Sequence, residues 1–296
     1  MKIYDCFMYY DEDLLLDLRL NYLSQYVDFF VICESSFTHR GERKKLNFEL
    51  NKFKEFKNKI IYLNLDHQPP NIKTINVEDS EEEKENKNIF NGYAHDIFQR
   101  QYLELGLKNI ADDDIIFISD IDEIPKLENF DFSKIGNNII CFKQKLFYYK
   151  FNLLYKNFDW FGTKCCKKKI FKSPQWLREI KSKKYSPFRI DIFFSKKKYS
   201  NITHVDDGGW HFSYIKSPEK LFEKLKNFAH YYEFEQSGIN FDQLKKLIDE
   251  RRIIYNHGVD QRSNKWNSDI RLEKINLDSL PKNITENINK YSKFIA

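Results

Sequence analysis

Short unbroken apolar runs alternate with amphipathic segments in the N-terminal part of the chain. Three of the runs lie at residues 29–33, 60–63 and 115–118, and the first, at residues 3–9, is strand-like and apolar except for Asp5. Unbroken apolar runs of this length are typical of strands covered on both faces, as in a parallel sheet. The alternation therefore predicts a Rossmann-like layer of strands and helices.

Helical spacing of apolar residues marks the segments between and after these runs. It predicts helices at residues 14–20, 93–107, 218–228 and 241–248. The polar run 78–88 is either a solvated loop or the start of an exposed helix. Shorter aromatic strands are expected in the C-terminal part. No linker rich in Pro, Gly or Ser interrupts the chain, so we expect a single α/β domain over residues 1–296.

The balance of charged residues bears on whether the protein binds nucleic acid. The 49 basic and 44 acidic residues nearly balance, whereas nucleic-acid-binding proteins usually concentrate basic residues on one face. The lysine clusters 167–169 and 196–198 are more simply solvated turns. We therefore expect no nucleic-acid partner.

Cysteine usage and hydropathy bear on the compartment. The five cysteines have no regular spacing, which gives no basis for a disulfide or zinc framework and favours a reducing environment. No apolar stretch reaches the roughly 18 residues of a membrane span, and the first residues lack the layout of a signal peptide. We expect a cytoplasmic protein without a membrane span.

Three carboxylates directly follow the fourth predicted strand: Asp120, Asp122 and Glu123. Ligands of open α/β sheets bind beyond the carboxyl ends of the strands. Two aspartates at positions i and i+2 can face one point, and their oxygens suit Mg²⁺ or Mn²⁺ bound to a nucleoside diphosphate. Such an ion would neutralise the charge on a departing diphosphate and so assist cleavage of the bond to a sugar. The alternative is an acidic turn or helix cap before Pro125, with Glu123 purely structural.

Five sequence blocks, in order, resemble one known family. They are residues 4–12 with the leucines and Arg19 that follow, 27–34 with Thr38-His39 and Gly41, Gln99-Arg100 with Gly106-Leu107, 119–125, and 208–214. The family is glycosyltransferase family 17, the β-1,4-mannosyl-glycoprotein 4-β-N-acetylglucosaminyltransferases. The resemblance extends from residue 2 to about residue 214.

The resemblance implies a GT-A type fold, a Rossmann-like mixed sheet flanked by helices. It also implies transfer with inversion of a sugar, GlcNAc in the characterised animal members, from a UDP-sugar donor to a glycan hydroxyl, with Mn²⁺ or Mg²⁺. Residues 1–125 would then form the nucleotide-sugar-binding half, and residues 126–296 the acceptor half with C-terminal helices. Animal members are Golgi type II membrane proteins. We expect neither anchor nor stem here, which leaves the acceptor open.

The predicted metal ligands are Asp120, Asp122 and His211, with Asp122 the direct ligand. His257 competes with His211 for this role, and either histidine can instead be a hydrogen-bonded structural residue.

The predicted donor-site residues surround the ends of the first strands. Glu34 would bind the ribose or the base, and Arg100 the diphosphate; a loop cap and a salt bridge to the acidic residues are the respective alternatives. The remaining candidates are Asp5, Cys6 and Phe7 for a uracil slot, with Phe7 equally suited to the core, and His39.

The predicted catalytic base is Asp207, with Asp206 as the alternative. An inverting transferase needs a group that removes the proton of the acceptor hydroxyl. These acids precede a Gly-Gly turn, and the following Trp210 could stack on a pyranose ring. The alternative is an acidic loop with a buried tryptophan.

Two other functions also place acids at a strand end. One is a metal-dependent nucleotidyl- or phosphotransferase, although neither GxxxxGK[ST] nor GxGxxG occurs in the sequence. The other is a non-catalytic carbohydrate-binding protein on the same fold.

Overall fold

The four apolar runs form neighbouring strands of one sheet, as their apolar pattern predicts. The computed structural model describes residues 1–185, 191–228, 230–258, 266 and 268–296. The strands are β1 Ile3–Tyr9, β2 Phe29–Ser35, β3 Ile60–Leu65, β4 Ile115–Ile118, β5 Glu123–Pro125, β6 Ile139–Phe142, β7 Gln144–Tyr148, β8 Leu153–Trp160, β9 Lys164–Lys167, β10 Ile202–Val205, β11 Gly209–Ser213 and β12 Glu273–Lys274.

Helices connect and cover these strands, so the chain is of the mixed α/β class predicted from the sequence. They are α1 Asp13–Leu23, α2 Glu81–Tyr102, α3 Pro174–Glu179, α4 Asp191–Phe194, α5 Pro218–Leu225, α6 Tyr231–Gln236, α7 Phe241–Asp249, α8 Lys282–Glu286 and α9 Ile288–Tyr291. No helix of the described residues is long and apolar enough to cross a bilayer.

Helix α2 begins earlier than the apolar spacing predicts. The Ser80 hydroxyl accepts a hydrogen bond from the backbone N–H of Glu83, whose carboxylate accepts one from the backbone N–H of Ser80. This capping box satisfies two backbone donors at the helix start. The polar run 78–88 therefore contains an exposed helix start rather than a loop. At the other end, α2 gives way to a 3₁₀ turn, Leu103–Leu107.

The first sheet has the strand order β10-β6-β9-β4-β1-β2-β3. Strands β4, β1, β2 and β3 are parallel neighbours, while β9 runs antiparallel between β4 and β6. The carboxyl ends of β1, β2 and β4 therefore meet at one edge, where the acidic residues follow β4. Strands from both predicted halves of the chain share this sheet.

A second sheet, which the apolar pattern did not predict as a separate unit, has the order β12-β8-β7-β11-β5. Its strand β5 begins at Glu123, inside the acidic segment, and pairs antiparallel with β11 so that His211 lies opposite Glu123. Two segments distant in sequence are thereby held at the edge of the first sheet.

Candidate active site

A cavity of about 410 Å³ opens at this edge. One side is formed by residues that follow β1 and β2, among them Tyr10 and Thr38, and the middle by Asp120 and Asp122 after β4. The other side carries residues of the second sheet, including Trp160 and His211. The cavity thus lies where α/β sheets bind their ligands.

The acidic segment closes into a tight turn around a buried carboxylate. Glu123, fully buried, accepts hydrogen bonds from the backbone N–H of Asp120 at 2.8 Å and from Trp160 Nε1 at 2.6 Å. Arg178 donates to both of its carboxylate oxygens at 2.7 and 2.9 Å. Glu123 is therefore the structural centre of the turn, one of the alternatives left open by the sequence.

Asp120 faces the cavity but is held by two guanidinium groups. Its carboxylate accepts hydrogen bonds from Arg178 Nη2 at 2.7 Å and from Arg100 Nη2 at 3.3 Å. Burial alone would raise the pKa of Asp120, yet these two arginines hold it well below its usual range. The predicted metal ligand Asp120 is thus ion-paired on both oxygens.

Asp122 and His211 form a separate pair at the cavity. His211 Nε2 lies 3.5 Å from Asp122 Oδ1, and the backbone carbonyl of Asp122 accepts a hydrogen bond from the N–H of Phe212 at 2.8 Å. Burial would lower the pKa of His211, but the carboxylate of Asp122 raises it overall. His211 Nδ1 is buried and has no hydrogen-bond partner among the described residues.

The described residues contain no group of three or more His, Cys, Asp or Glu side chains placed to hold a metal ion. The pair of Asp122 and His211 is a two-ligand set. His257 also lines the cavity, but it packs within the aromatic cluster of Tyr148, Tyr155 and Tyr255.

Glu34 does not line the cavity. It is fully buried and accepts hydrogen bonds from Lys44 Nζ, from the backbone N–H groups of Asn47 and Phe48, and from the Tyr62 hydroxyl, at 2.6 to 3.0 Å. Four donors use the acceptor capacity of its two oxygens. In this structure Glu34 fixes the loop after β2, which corresponds to the predicted alternative of a loop cap.

The side chains of Asp5, Cys6 and Phe7 lie in the core and do not line the cavity. Asp5 is 1% exposed and pairs with Arg19 through two hydrogen bonds of 2.6 and 2.7 Å. The Arg19 guanidinium lies 4.5 Å from the centre of the Phe7 ring, and burial raises the pKa of the Cys6 thiol well above its usual value. The structure therefore does not bring these residues to a uracil slot.

Arg19 connects this buried pair to the acidic turn. Its Nη1 donates to the backbone carbonyls of Asp120, Ile121 and Glu123 at 2.8 to 3.2 Å, and its Nη2 donates to Ser119 Oγ. The Asp5–Arg19 pair thus supports the turn from inside the core.

Two of the predicted donor-site residues, His39 and Arg100, line the cavity. Burial lowers the pKa of His39, whose Nδ1 has no hydrogen-bond partner among the described residues. Arg100 forms the salt bridge to Asp120 that was the alternative to a diphosphate role, and a second one to Asp96 at 2.7 Å.

Asp206 and Asp207 line a different cavity, of about 420 Å³. Asp207 accepts a hydrogen bond from Lys126 Nζ at 2.6 Å. Asp207 lies in the turn before β11, with a positive φ of 50°, whereas His211 lies within the strand and lines the first cavity. The structure does not bring the two predicted bases together with the acidic turn.

Trp210 is also absent from the walls of the first cavity. It is 4% exposed, its Nε1 donates to the backbone carbonyl of Ser279 at 2.7 Å, and its ring packs edge-on against Tyr22. This is the buried tryptophan of the alternative interpretation.

Many residues of the cavity wall were not predicted as site residues, among them the charged and aromatic residues Glu12, Trp160, Arg178 and Lys224. Trp160 and Arg178 contact the acidic turn, and Lys224 pairs with Glu12 at 3.0 Å. Burial would raise the pKa of Glu12, but Lys224 and Lys216 lower it to about 2. Glu12 ends the first of the five sequence blocks, whereas Trp160, Arg178 and Lys224 lie outside all of them, and only the fold brings the four residues to one place.

A family model and similar characterised proteins point to the same family. The model of glycosyltransferase family 17 matches residues 1–257. Human and rat β-1,4-mannosyl-glycoprotein 4-β-N-acetylglucosaminyltransferases are each 33% identical to the chain over 129 residues, and the mouse protein is 32% identical. The aligned segment covers 41% of this chain and 21% of each relative, so the match spans about a fifth of the length of these proteins.

Proposed function

The chain belongs to glycosyltransferase family 17, and we propose that it transfers GlcNAc from UDP-GlcNAc to a glycan hydroxyl with the help of a divalent cation. Family membership confirms the prediction of a glycosyltransferase. The donor, the cation and inversion are parts of the proposal. The observation that carries it is the Asp122–His211 pair facing a cavity at the carboxyl edge of the sheet.

The architecture supports a GT-A assignment. A mixed sheet with parallel β4, β1, β2 and β3 is flanked by helices, and the acidic turn follows β4 at its carboxyl edge. In this proposal residues 1–125 provide most of the nucleotide side of the cavity, and residues 126–296 the acceptor side.

The walls of the cavity suit an anionic donor. Arg100, Arg178 and Lys224 all line it, and guanidinium groups present paired donors to phosphate oxygens. Thr38 and His39 follow β2 at the end where nucleotide-binding sheets hold the nucleoside. We therefore place the nucleoside near β2 and the diphosphate near the acidic turn.

The residues present fit a divalent cation at Asp122 and His211. Two neighbouring ligands of an octahedral ion lie roughly 3 Å apart, close to the 3.5 Å between Asp122 Oδ1 and His211 Nε2. Donor oxygens and water would complete the shell, since the described residues supply no third protein ligand. When bound, the ion would stabilise the negative charge of the departing diphosphate. Arg178 and Arg100 meanwhile hold Asp120 and the turn in place.

Ligand-dependent melting tests the donor and cation. UDP with Mn²⁺ at a hundred times its Kd should stabilise the protein by about 2.7 kcal/mol, which is about 4 °C for a chain of this length. Asp122→Asn should abolish this shift, and the exposed Asp249→Asn should retain it. Equal shifts in both variants would contradict the assignment of Asp122.

Products formed from UDP-GlcNAc separate the candidate functions. Release of UDP and free GlcNAc without acceptor supports a glycosyltransferase, and UMP release indicates the phosphotransferase class instead. Tight binding with no turnover indicates a carbohydrate-binding protein. Once an acceptor is found, the anomeric configuration of the product, read by NMR, tests inversion.

The variant Asp207→Asn tests whether Asp207 is the catalytic base. A catalytic base typically contributes about 10²- to 10⁴-fold to the rate. Because Asp207 lies outside the cavity and pairs with Lys126, we expect this variant to keep its rate of sugar transfer within a few-fold. A loss of a hundredfold or more, at unchanged melting temperature, would restore the prediction made from the sequence.

A further inference from the structure

We propose that Trp160 is the stacking platform for a pyranose ring in this cavity, the role that the sequence suggested for Trp210. The inference rests on the proposed function and adds the residue that recognises the sugar. Trp160 ends β8, is half-buried and lines the cavity on the side of the second sheet.

The position of the indole places it beside the reacting region. Its ring centre lies 4.8 Å from that of His211, which is paired with Asp122. The ring centre of His257 lies 5.7 Å away, with the two ring planes at 73° to each other. A sugar joined to a diphosphate near Asp122, or an acceptor sugar approaching it, would therefore come next to this ring.

The indole is also held in one orientation. Its Nε1 donates to Glu123 at 2.6 Å, and Glu123 is fixed by Arg178. Gly162 leaves room for this bond, since a Cβ there would lie 2.3 Å from Trp160 Nε1. With its N–H satisfied inside the protein, the indole offers a ligand its ring rather than a polar group. A preset side chain also loses little entropy on binding.

The fold separates this platform from the nucleoside end. Thr38 and His39 follow β2 of the first sheet, whereas Trp160 belongs to the second sheet and donates a hydrogen bond to Glu123 of the acidic turn. The C–H face of a pyranose packs well on an aromatic ring, and we assign this wall to the sugar rather than to the base. The pyranose can be that of the donor or that of the acceptor.

The test compares Trp160→Leu, which removes the aromatic face but keeps apolar bulk, with Trp160→Phe, which keeps a face. Trp176→Leu is the matched control, because Trp176 packs against Tyr199 and does not line the cavity. Calorimetric titration with Mn²⁺ gives the Kd of UDP and of UDP-GlcNAc for each protein. Titration of methyl mannoside or methyl N-acetylglucosaminide onto the UDP-bound protein measures a second sugar.

We expect UDP to bind all variants within about twofold of the wild type. Trp160→Leu should lose about 5- to 100-fold in affinity for a pyranose, by analogy with the loss of an aromatic ring that stacks on a nucleobase, while Trp160→Phe loses only a few-fold. A loss confined to UDP-GlcNAc assigns the platform to the donor sugar, and a loss confined to the methyl glycosides assigns it to the acceptor.

Two results would overturn the inference. Equal weakening of UDP and UDP-GlcNAc by Trp160→Leu would mean that the ring stacks on the base, and unchanged binding of all sugars would mean that it is no platform. Failure of the wild-type protein to bind UDP at all would refute the proposed function itself, before any variant is compared.

Discussion

Replacing Asp5 by alanine is expected to destabilise the ligand-free protein. Asp5 and Arg19 are 1% and 0% exposed, and their guanidinium–carboxylate contact is bidentate. Removing the carboxylate leaves a charged guanidinium in the core. Loss of one partner of a buried ion pair typically costs about 3–5 kcal/mol.

The shift in melting temperature follows from the size of the chain. Unfolding entropies of about 2.1 cal/mol/K per residue give roughly 0.6 kcal/mol/K for 296 residues. Asp5→Ala should therefore lower Tm by about 5–8 °C. Glu235→Ala removes the partner of Arg40 from a pair whose side chains are 39% and 30% exposed, and it should lower Tm by less than about 2 °C.

Differential scanning calorimetry without and with UDP and Mn²⁺ separates the two roles considered for Asp5. A uracil ligand would leave the Tm of the ligand-free protein unchanged and reduce only the ligand shift. A structural partner of Arg19 lowers the ligand-free Tm. If Asp5→Ala melts no lower than Glu235→Ala, the account of the buried pair is wrong.

A double variant separates the effect of an unpaired buried charge on stability from the effect of lost hydrogen bonds to the acidic turn. Asp5→Leu combined with Arg19→Met replaces the ion pair by apolar side chains of similar size, which should recover much of the lost stability. The ligand shift should stay reduced, because the backbone carbonyls of Asp120, Ile121 and Glu123 lose their shared donor.

Two further variants test contacts around the cavity. Lys224 and Lys216 outweigh the effect of burial and lower the pKa of Glu12 from its ordinary 4.5 to about 2 in the folded protein. The two ion pairs therefore stabilise the folded protein above pH 4.5, by about 3 kcal/mol, and this stabilisation is lost as pH falls toward 2. Urea unfolding of Glu12→Gln should lack this part of the acid dependence, and an unchanged pH profile would contradict it. Gly162→Ala places a Cβ 2.0 Å from Glu123 Oε1 and 2.3 Å from Trp160 Nε1. This overpacking should lower the free energy of unfolding by about 1–3 kcal/mol and weaken sugar binding. An unchanged Tm would show that the contact can relax freely.

The strands that carry the site could be predicted from the sequence, because strands buried on both faces consist mostly of apolar residues. The run at 115–118 is β4, and chain adjacency alone then puts Asp120 and Asp122 at the sheet edge. The second sheet escaped prediction, because β5 and β11 are short and pair across the chain. Their pairing depends on tertiary contacts, which local periodicity does not encode.

Partners of the predicted residues could not be found from the sequence. Arg178 lies 58 positions from Asp120, and Trp160 lies 37 positions from Glu123. From its position at a strand end, Glu34 was predicted to bind the ribose or the base, with a loop cap as the alternative, and the four donors that surround it could not be predicted. Such donor sets come from loops, whose course the apolar pattern leaves open.

The position of Asp207 relative to the cavity depends on how the chain turns before β11. Strand β11 begins at Gly209, two positions after Asp207, and the positive φ angles of Asp207 (50°) and Gly209 (120°) show that the chain turns between Asp207 and His211. The Gly-Gly pair indicated a turn after the two predicted bases, but its direction, which puts Asp207 at the second cavity and His211 at the first, depends on tertiary contacts.

Charge balance in the cavity leads to a last prediction, that UDP and Mn²⁺ bind in a mutually dependent way. The cations Arg100, Arg178 and Lys224 already form ion pairs with carboxylates of the protein, so they offset only part of the charge of an entering diphosphate. Asp122 and His211 offer a place for the missing positive charge. Each ligand should then raise the affinity of the other by the same factor, about 5- to 150-fold for typical couplings. Titrating UDP with Mn²⁺ and with EDTA measures this factor. Asp122→Asn should reduce it to about one, and equal UDP affinities in both conditions for the wild-type protein would show that the arginines and Lys224 suffice without a metal ion.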